Sequence, residues 1–205
     1  ARGRATPDAP RLAYVGKYSA SKGLPQLLDA IERVAVERPD VTLHVAGSGA
    51  GDEADRLATR MHAMAPRVAM HGALPQADLA ALLRTCRVGV LPSFYEGVPL
   101  VLVEAFACRC RLVATALPGV VGALSPHLGG ALELVEPPPM AGIDVPDDVG
   151  LPAFVRRLGD ALVVALRKPP LGDPAVERPA ALAPFTWDAV FRRVESVWTA
   201  RAVGA

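Results

Sequence analysis

A chain of 205 residues of which 51% are hydrophobic can bury a sizeable core, and this composition excludes disorder of the whole chain. Its 22 basic and 21 acidic residues give a net charge of +1, which argues against a nucleic-acid binder because such proteins carry a basic excess. The three cysteines, Cys86, Cys108 and Cys110, form no even disulfide framework. They indicate small buried residues in a reducing, cytoplasmic compartment.

The elements predicted from the sequence alternate between strand and helix as far as residue 135. Residues 1–10 are polar and contain proline, which is typical of a linker. Short apolar runs that end at glycine or proline predict strands, and apolar residues at helical spacing predict helices. The predicted strands are 12–16, 41–46, 68–71, 88–91, 112–114 and 131–135, and the predicted helices between them are 24–38, 52–64, 76–85 and 99–107.

This alternation, with short connections, predicts βαβ units and therefore a parallel sheet. The strands are almost continuously apolar, as expected for a sheet that is covered on both faces. The predicted fold class is α/β, a Rossmann-like doubly wound sheet.

Beyond residue 135 the regular pattern stops. Residues 137–152 predict a proline-rich loop, 152–167 a helix, and 168–184 an extended proline-rich segment. Residues 186–201 predict a last amphipathic helix with Thr186 as its N-cap. The predicted organisation is therefore a linker at 1–10, a domain at 11–185 and a C-terminal helix at 186–205.

Ligands of doubly wound sheets bind at the carboxyl ends of the strands, where four junctions carry candidate residues. After the first strand, Lys17 follows Gly16, and Lys22 opens the next helix. Two cations beside free helix amides suit a diphosphate, and solvated loop lysines are the alternative.

Two further junctions give weaker signals. VAGSGAGDEA, residues 45–54, imitates a dinucleotide fingerprint, but its third glycine is misplaced and it follows the second strand. A tight turn is therefore expected there instead of an NAD site. His71 ends the third strand, and a structural role or a wall beside a base is expected of it, because no carboxylate nearby in sequence would orient it for catalysis.

The fourth junction, PSFYEGVPLVLVEAFACRC at residues 92–110, holds two glutamates in an apolar run. Glu96 falls in the turn and Glu104 inside the following helix, with Pro99 at that helix's first position. Ionised carboxylates accept hydrogen bonds from vicinal hydroxyls, and the amides of the turn favour an anion between them. Ribose, diphosphate and sugar have this layout, so a nucleotide-sugar is predicted. A surface helix explains Glu104 poorly, because its neighbours in sequence are apolar.

These segments resemble the nucleotide-sugar-binding half of family 4 glycosyltransferases, which have the GT-B fold. The resemblance covers residues 11–135, and FTWDAVFRRVESVW resembles the closing helix of that family. The specific part is the spacing of Glu96 and Glu104 in E-G-x-x-L-x-x-x-E-A.

The resemblance implies roles for individual residues. Glu96 would contact the transferred sugar, Glu104 the ribose, and Lys17 and Lys22 the diphosphate, with the base near His71. The remaining donor-binding positions that it implies are Gly16 and the amides of Gly97, Val98 and Leu100. It also implies retention of anomeric configuration, no metal and no cofactor, with a UDP- or GDP-sugar as the donor.

Three positions depart from the pattern of the family. Lys17 stands where an arginine is usual, so the charge remains but the bidentate fork is lost. Pro99 lacks an N–H that many members have. Arg109 replaces a glycine after Cys108, which puts the geometry of that turn in question.

The length of the chain suggests one half of a GT-B enzyme. The resemblance implies that the acceptor-binding half is missing, that the isolated chain is inactive, and that the acceptor is a glycan, lipid or small molecule. The final helix would then expose aromatic residues that favour contacts between two copies. The full enzyme would be cytoplasmic or peripheral at the inner membrane face. A GT-B nucleotide-sugar epimerase and a non-catalytic nucleotide-binding module are the alternatives.

Overall fold

Six parallel strands form a single sheet in the computed structural model, which describes residues 10–172 and 179–202. The strands are β1 (Arg11–Val15), β2 (Thr42–Ala46), β3 (Val68–Gly72), β4 (Val88–Leu91), β5 (Arg111–Thr115) and β6 (Leu132–Val135). Their order across the sheet is β3-β2-β1-β4-β5-β6. This arrangement is the doubly wound α/β sheet that the sequence predicted.

Helices cover both faces of the sheet. They are α1 (Leu24–Glu37), α2 (Asp52–Ala63), α3 (Gln76–Leu83), α4 (Leu100–Ala107), α5 (Ser125–Leu128), α6 (Leu151–Arg167), α7 (Pro179–Leu182) and α8 (Trp187–Ala202). Two clusters of buried apolar side chains form the core, one on each side of the sheet. The first includes Leu27 and Ile31 of α1 with Leu158 and Leu162 of α6, and burial of these apolar side chains stabilises that layer.

The second cluster lies between the sheet and α3, α4 and α5. It contains Leu102 and Phe106 of α4 together with all three cysteines, which are buried and free. Burial raises the pKa of the Cys86 thiol to about 11, so this group is a neutral apolar side chain near neutral pH. The prediction of buried, reduced cysteines is confirmed.

Three local features differ from the prediction. Helix α4 begins at Leu100, and Pro99 is its N-cap because its ψ of 97° is extended. The span 168–184 is not extended throughout: α7 and the 3₁₀ turn Ala183–Phe185 lie there, because Ala181 is buried in the second cluster and Leu182 packs against it. The connection between β5 and β6 also contains a π-helical turn, Val120–Leu124, and α5.

The structure tests the predictions for the two ends of the chain to different extents. Residues 1–9 of the predicted linker lie outside the described residues, and the carbonyl of Pro10 accepts a hydrogen bond from the Thr42 amide at 3.1 Å. The N-cap prediction for α8 is confirmed, since Thr186 Oγ1 accepts a hydrogen bond from the Ala189 amide at 3.3 Å.

Helix α8 carries an exposed aromatic stripe, with Trp187 75%, Phe191 60% and Trp198 70% exposed. What covers this stripe, and whether it joins two copies, stays a prediction. Within residues 10–172 and 179–202, no helix combines the length and apolar character needed to cross a bilayer.

Candidate functional site

The candidate site lies where the winding of the sheet reverses. Strands β1 and β4 are neighbours, yet the chain leaves β1 toward β2 and leaves β4 toward β5, in opposite directions. The loops at their carboxyl ends therefore diverge and leave a crevice. A cleft of about 290 Å³ occupies this position. Its walls are Tyr14, Val15, Gly16, Lys22, Leu91, Ser93, Glu96, Val98, Pro99, Leu100 and Val101.

An ion pair joins the two loops across this cleft. Lys22, just before α1, donates from Nζ to Glu96 Oε1 at 2.8 Å, and the two side chains are 32% and 17% exposed. The Phe94 amide also donates to the Ser21 carbonyl at 2.9 Å, so the loops are tied by backbone as well. The two residues, 74 positions apart in sequence, therefore belong to one site.

Tyr14 shapes the loop that follows β1. Its hydroxyl donates to the Lys17 carbonyl at 2.6 Å, which fixes the backbone beside the exposed Lys17 side chain. Burial and, to a smaller extent, the Glu96 charge raise the pKa of Tyr14, so the phenol remains a donor. Tyr14 was not predicted from the sequence, although an aromatic side chain near the end of a short apolar strand is a signal that marks it.

The turn after β4 offers free amides. In the part of the chain that the structure describes, the amides of Gly97, Val98 and Leu100 donate no hydrogen bond to protein groups. They lie at the start of α4, where unpaired N–H groups and the helix dipole favour an anion. Beside them, the fully buried hydroxyl of Ser93 also has no hydrogen-bond partner among the residues that the structure describes, and Ser93 was not predicted.

Glycine permits the loops of the site to touch. A Cβ on Gly119 would lie 1.6 Å from the Gly97 carbonyl oxygen, and one on Gly47 would lie 1.9 Å from that of Gly16. Gly47 has a φ of 136°, which agrees with the expected tight turn at VAGSG. These close approaches bring the loops after β1, β2, β4 and β5 together.

Some predicted residues lie outside the lining of the cleft. Glu104 is exposed on α4, whose buried face consists of Leu102, Ala105 and Phe106. The argument that a surface helix explains Glu104 poorly is therefore wrong, because Leu102, Ala105 and Phe106 turn toward the core while Glu104 stays exposed. Lys17 is exposed and forms no ion pair with any described residue. His71 lies at the carboxyl end of β3, two strands away from β1.

His71 is the end of a row of three side chains that the sequence did not reveal. Arg11 Nε donates to His44 Nε2 at 3.2 Å, and His44 Nδ1 meets His71 Nε2 at 2.9 Å. Burial, the Arg11 charge and His71 lower the pKa of His44 to about 4. Burial and Arg11 also lower the pKa of His71, so both rings are neutral near pH 7. We call these three residues the imidazole relay.

Among the described residues, no three histidine, cysteine or carboxylate side chains are grouped so as to hold a metal ion. The polar groups gathered at the cleft are instead one lysine, Lys22, one carboxylate, Glu96, and unpaired amides, while Lys17 lies exposed outside the lining. Such a set binds an anion together with hydroxyl groups.

Comparison with known proteins finds relatives over most of the chain. Residues 9–140 match the family model described as glycosyl transferases group 1. The chain is 29% identical over 194 residues to a glycogen synthase of Mycobacterium tuberculosis, which covers 94% of this chain and 43% of that protein. It is 31% identical over 215 residues to a D-inositol 3-phosphate glycosyltransferase of Mycolicibacterium paratuberculosis, covering 97% and 44%.

A solved structure shares the fold. The α,α-trehalose-phosphate synthase (UDP-forming) of Burkholderia vietnamiensis superposes with a TM-score of 0.69 at 20% identity, over 97% of this chain and 46% of that one. The chain thus spans less than half the length of the relatives that it matches.

Proposed function

The chain belongs to the group 1 glycosyltransferases, and on that premise we propose that it is the half that holds a nucleotide-diphosphate-sugar donor. The observation that carries the proposal is the Lys22–Glu96 ion pair, which places a cation and a carboxylate together at the switch point of the sheet. The free amides at the start of α4 lie beside this pair. A UDP- or GDP-sugar is the proposed donor.

The proposed roles follow from the chemistry of each group. Lys17, Lys22 and the amides of Gly97, Val98 and Leu100 bind the diphosphate and stabilise its negative charge as the sugar departs. Glu96 accepts hydrogen bonds from the sugar hydroxyls, and Glu104 accepts them from the ribose. Gly16 keeps the backbone close to the donor, and His71 stands beside the base. Because cations and amides supply the charge stabilisation, the proposed reaction needs no metal, and it retains the anomeric configuration.

The whole enzyme would contain a second half that binds the acceptor. The relatives are about twice as long as this chain, which supports that arrangement. The acceptor would be a glycan, a lipid or a small molecule, and the chain alone would not catalyse transfer. The relatives named above are a synthase and a transferase, and this favours transfer over the epimerase alternative.

The first test is calorimetry or ligand-observed NMR with UDP, GDP, ADP and their sugars. Binding of at least one nucleoside diphosphate is expected, and Lys22→Met should weaken it about tenfold or more, the effect of removing one charge-assisted hydrogen bond. Lys168→Met is the matched control. Lys168 also pairs with a glutamate, Glu133, but it follows α6 near the amino ends of the strands, opposite to the cleft.

The control should leave the affinity for the nucleotide unchanged. If no diphosphate binds at millimolar concentration, or if Lys22→Met binds as tightly as the original chain, the donor-site proposal is wrong.

A further inference from the structure

The chemistry of Arg11 determines which ring nitrogens of the imidazole relay carry a proton. A guanidinium only donates hydrogen bonds and does not lose its proton in proteins. Because Arg11 Nε donates to His44 Nε2, that nitrogen carries no proton. The neutral ring of His44 must then carry its proton on Nδ1, and this N–H donates to His71 Nε2 at 2.9 Å. The structure therefore fixes the tautomer of both rings.

The geometry of the two rings supports this bond. Their planes differ by 21° and their centroids lie 5.2 Å apart, which fits rings that meet edge to edge through one N–H···N contact. His44 is 6% exposed, whereas His71 is an exposed residue. The depressed pKa values of both rings keep them neutral, as the tautomer assignment requires.

The remaining nitrogen of His71 is therefore a donor. With Nε2 accepting from His44, the proton of His71 resides on Nδ1, the only ring nitrogen left for a ligand. Without Arg11, either tautomer of the pair would satisfy the contact between the rings, and His71 could present a donor or an acceptor. Arg11 removes that choice.

We propose that Arg11 and His44 are positioning residues that hold His71 as a hydrogen-bond donor, so that the site selects a nucleobase with a carbonyl at C4 of a pyrimidine or C6 of a purine over one with an amino group at that position. This rests on the proposed function, since it requires the base of the donor to lie at the carboxyl end of β3. Uracil and guanine carry the carbonyl, whereas cytosine and adenine carry the amino group at the equivalent position. An amino group facing the N–H of His71 would leave two donors opposed and unpaired.

The binding test compares UDP with CDP and GDP with ADP, because each pair exchanges a carbonyl for an amino group. In at least one pair, the chain should bind the carbonyl member at least about tenfold more tightly than the amino member. His71→Ala and Arg11→Met should each reduce that preference to about twofold or less, whereas Arg11→Lys, which still only donates, should retain it. His62→Ala on α2 is the control, since the His62 ring bonds to the Ala58 carbonyl of its own helix.

A spectroscopic readout separates positioning from mere support of the fold. The ¹⁵N shifts of the His71 ring should show the proton on Nδ1 in the original chain and in Arg11→Lys, and loss of that single tautomer in Arg11→Met. Equal binding of all four diphosphates, or a preference that survives His71→Ala, overturns the inference while leaving the donor site intact. Failure of all four to bind overturns the proposed function as well.

Discussion

The ion pair between Lys22 and Glu96 is more important for the position of its charges than for its contribution to stability. Both side chains are partly exposed, and such pairs contribute about 1 kcal/mol or less to folding. Their contact at 2.8 Å nevertheless places opposite charges on two loops of one cleft. A diphosphate carries more negative charge than one carboxylate and would compete with Glu96 for Lys22. The ion pair thus holds the cation of Lys22 in position at the cleft.

Glu104 provides a test at the residue scale, because its exposed carboxylate is proposed to accept hydrogen bonds from the ribose. Glu104→Ala should weaken nucleoside diphosphate binding about tenfold, as expected for lost hydrogen bonds to a charged group. Calorimetry measures the change, with Glu195→Ala on exposed α8 as the control. Unchanged affinity in Glu104→Ala would rule out the ribose role.

Arg109 carries backbone strain at the turn that follows α4. Its φ of 73° is the only positive value for a non-glycine residue among those described, and Arg109 lies just beyond Cys108, the C-cap of α4. Left-handed backbone costs an L-residue about 1 kcal/mol relative to glycine. The sequence put the geometry of this turn in question. The structure shows that Arg109 adopts a left-handed backbone, which the surrounding structure holds in place.

The expected outcome is that Arg109→Gly is about 1 kcal/mol more stable than Arg109→Ala. Both variants lose the contacts of the side chain, so their difference isolates the backbone, and urea denaturation gives both free energies of unfolding. Equal stability of the two variants would show that the turn relaxes without cost.

At the scale of elements, the site is an assembly of loops held in contact by glycine. Gly23 shows the same device as Gly119 and Gly47, since a Cβ there would lie 2.0 Å from the Pro92 carbonyl oxygen. Its φ of 68° also suits glycine. The loop before α1 can therefore lie directly on the loop after β4, and Lys22 is brought to Glu96. The glycines at these positions permit the loops to approach each other closely.

Gly119→Ala tests this assembly. The added methyl group would meet the Gly97 carbonyl 1.6 Å away, so the turn that carries the free amides must shift. A loss of about 2 kcal/mol in stability is expected for such overpacking, together with weaker binding of nucleoside diphosphates. Thermal denaturation and calorimetry measure the two effects.

Gly122→Ala is the matched control, because nothing lies within 4 Å of a Cβ at this position three residues further along. It should fold and bind as the original chain does. Similar behaviour of the two variants would contradict the idea that close contact of the loops shapes the site.

At the scale of the whole molecule, the buried imidazole of His44 couples folding to pH. Its pKa falls from 6.5 to about 4 in the folded state because burial, Arg11 and His71 disfavour the imidazolium. Between these values the unfolded chain binds a proton that the folded chain does not. The contribution of His44 to stability is therefore fully present above pH 6.5 and is lost as the pH falls toward 4, by about 3 kcal/mol.

Urea denaturation at about pH 7 and pH 4.5 measures this dependence. His44→Gln, which hydrogen-bonds but does not titrate, should lose less stability over the same interval, while losses from carboxylates remain common to both chains. An equal loss in both chains would show that His44 does not supply the difference.

The sequence by itself determined the layers of this protein. Apolar runs closed by glycine and residues at helical spacing are local signals, so the six strands and the helices α1 to α4, α6 and α8 followed from periodicity. It also placed Lys22 and Glu96 on loops at the carboxyl edge. It misjudged Glu104, because apolar neighbours in sequence do not show which face of a helix is buried.

Only the tertiary structure decided which of these groups meet. The strand order that makes β1 and β4 neighbours, the Lys22–Glu96 contact and the imidazole relay join residues far apart in sequence. The folding of α7 is also a tertiary effect, because it depends on burial of Ala181 in the second core cluster. The physical reason is that periodicity is fixed within one element, whereas such contacts depend on how whole elements pack and how closely their loops approach.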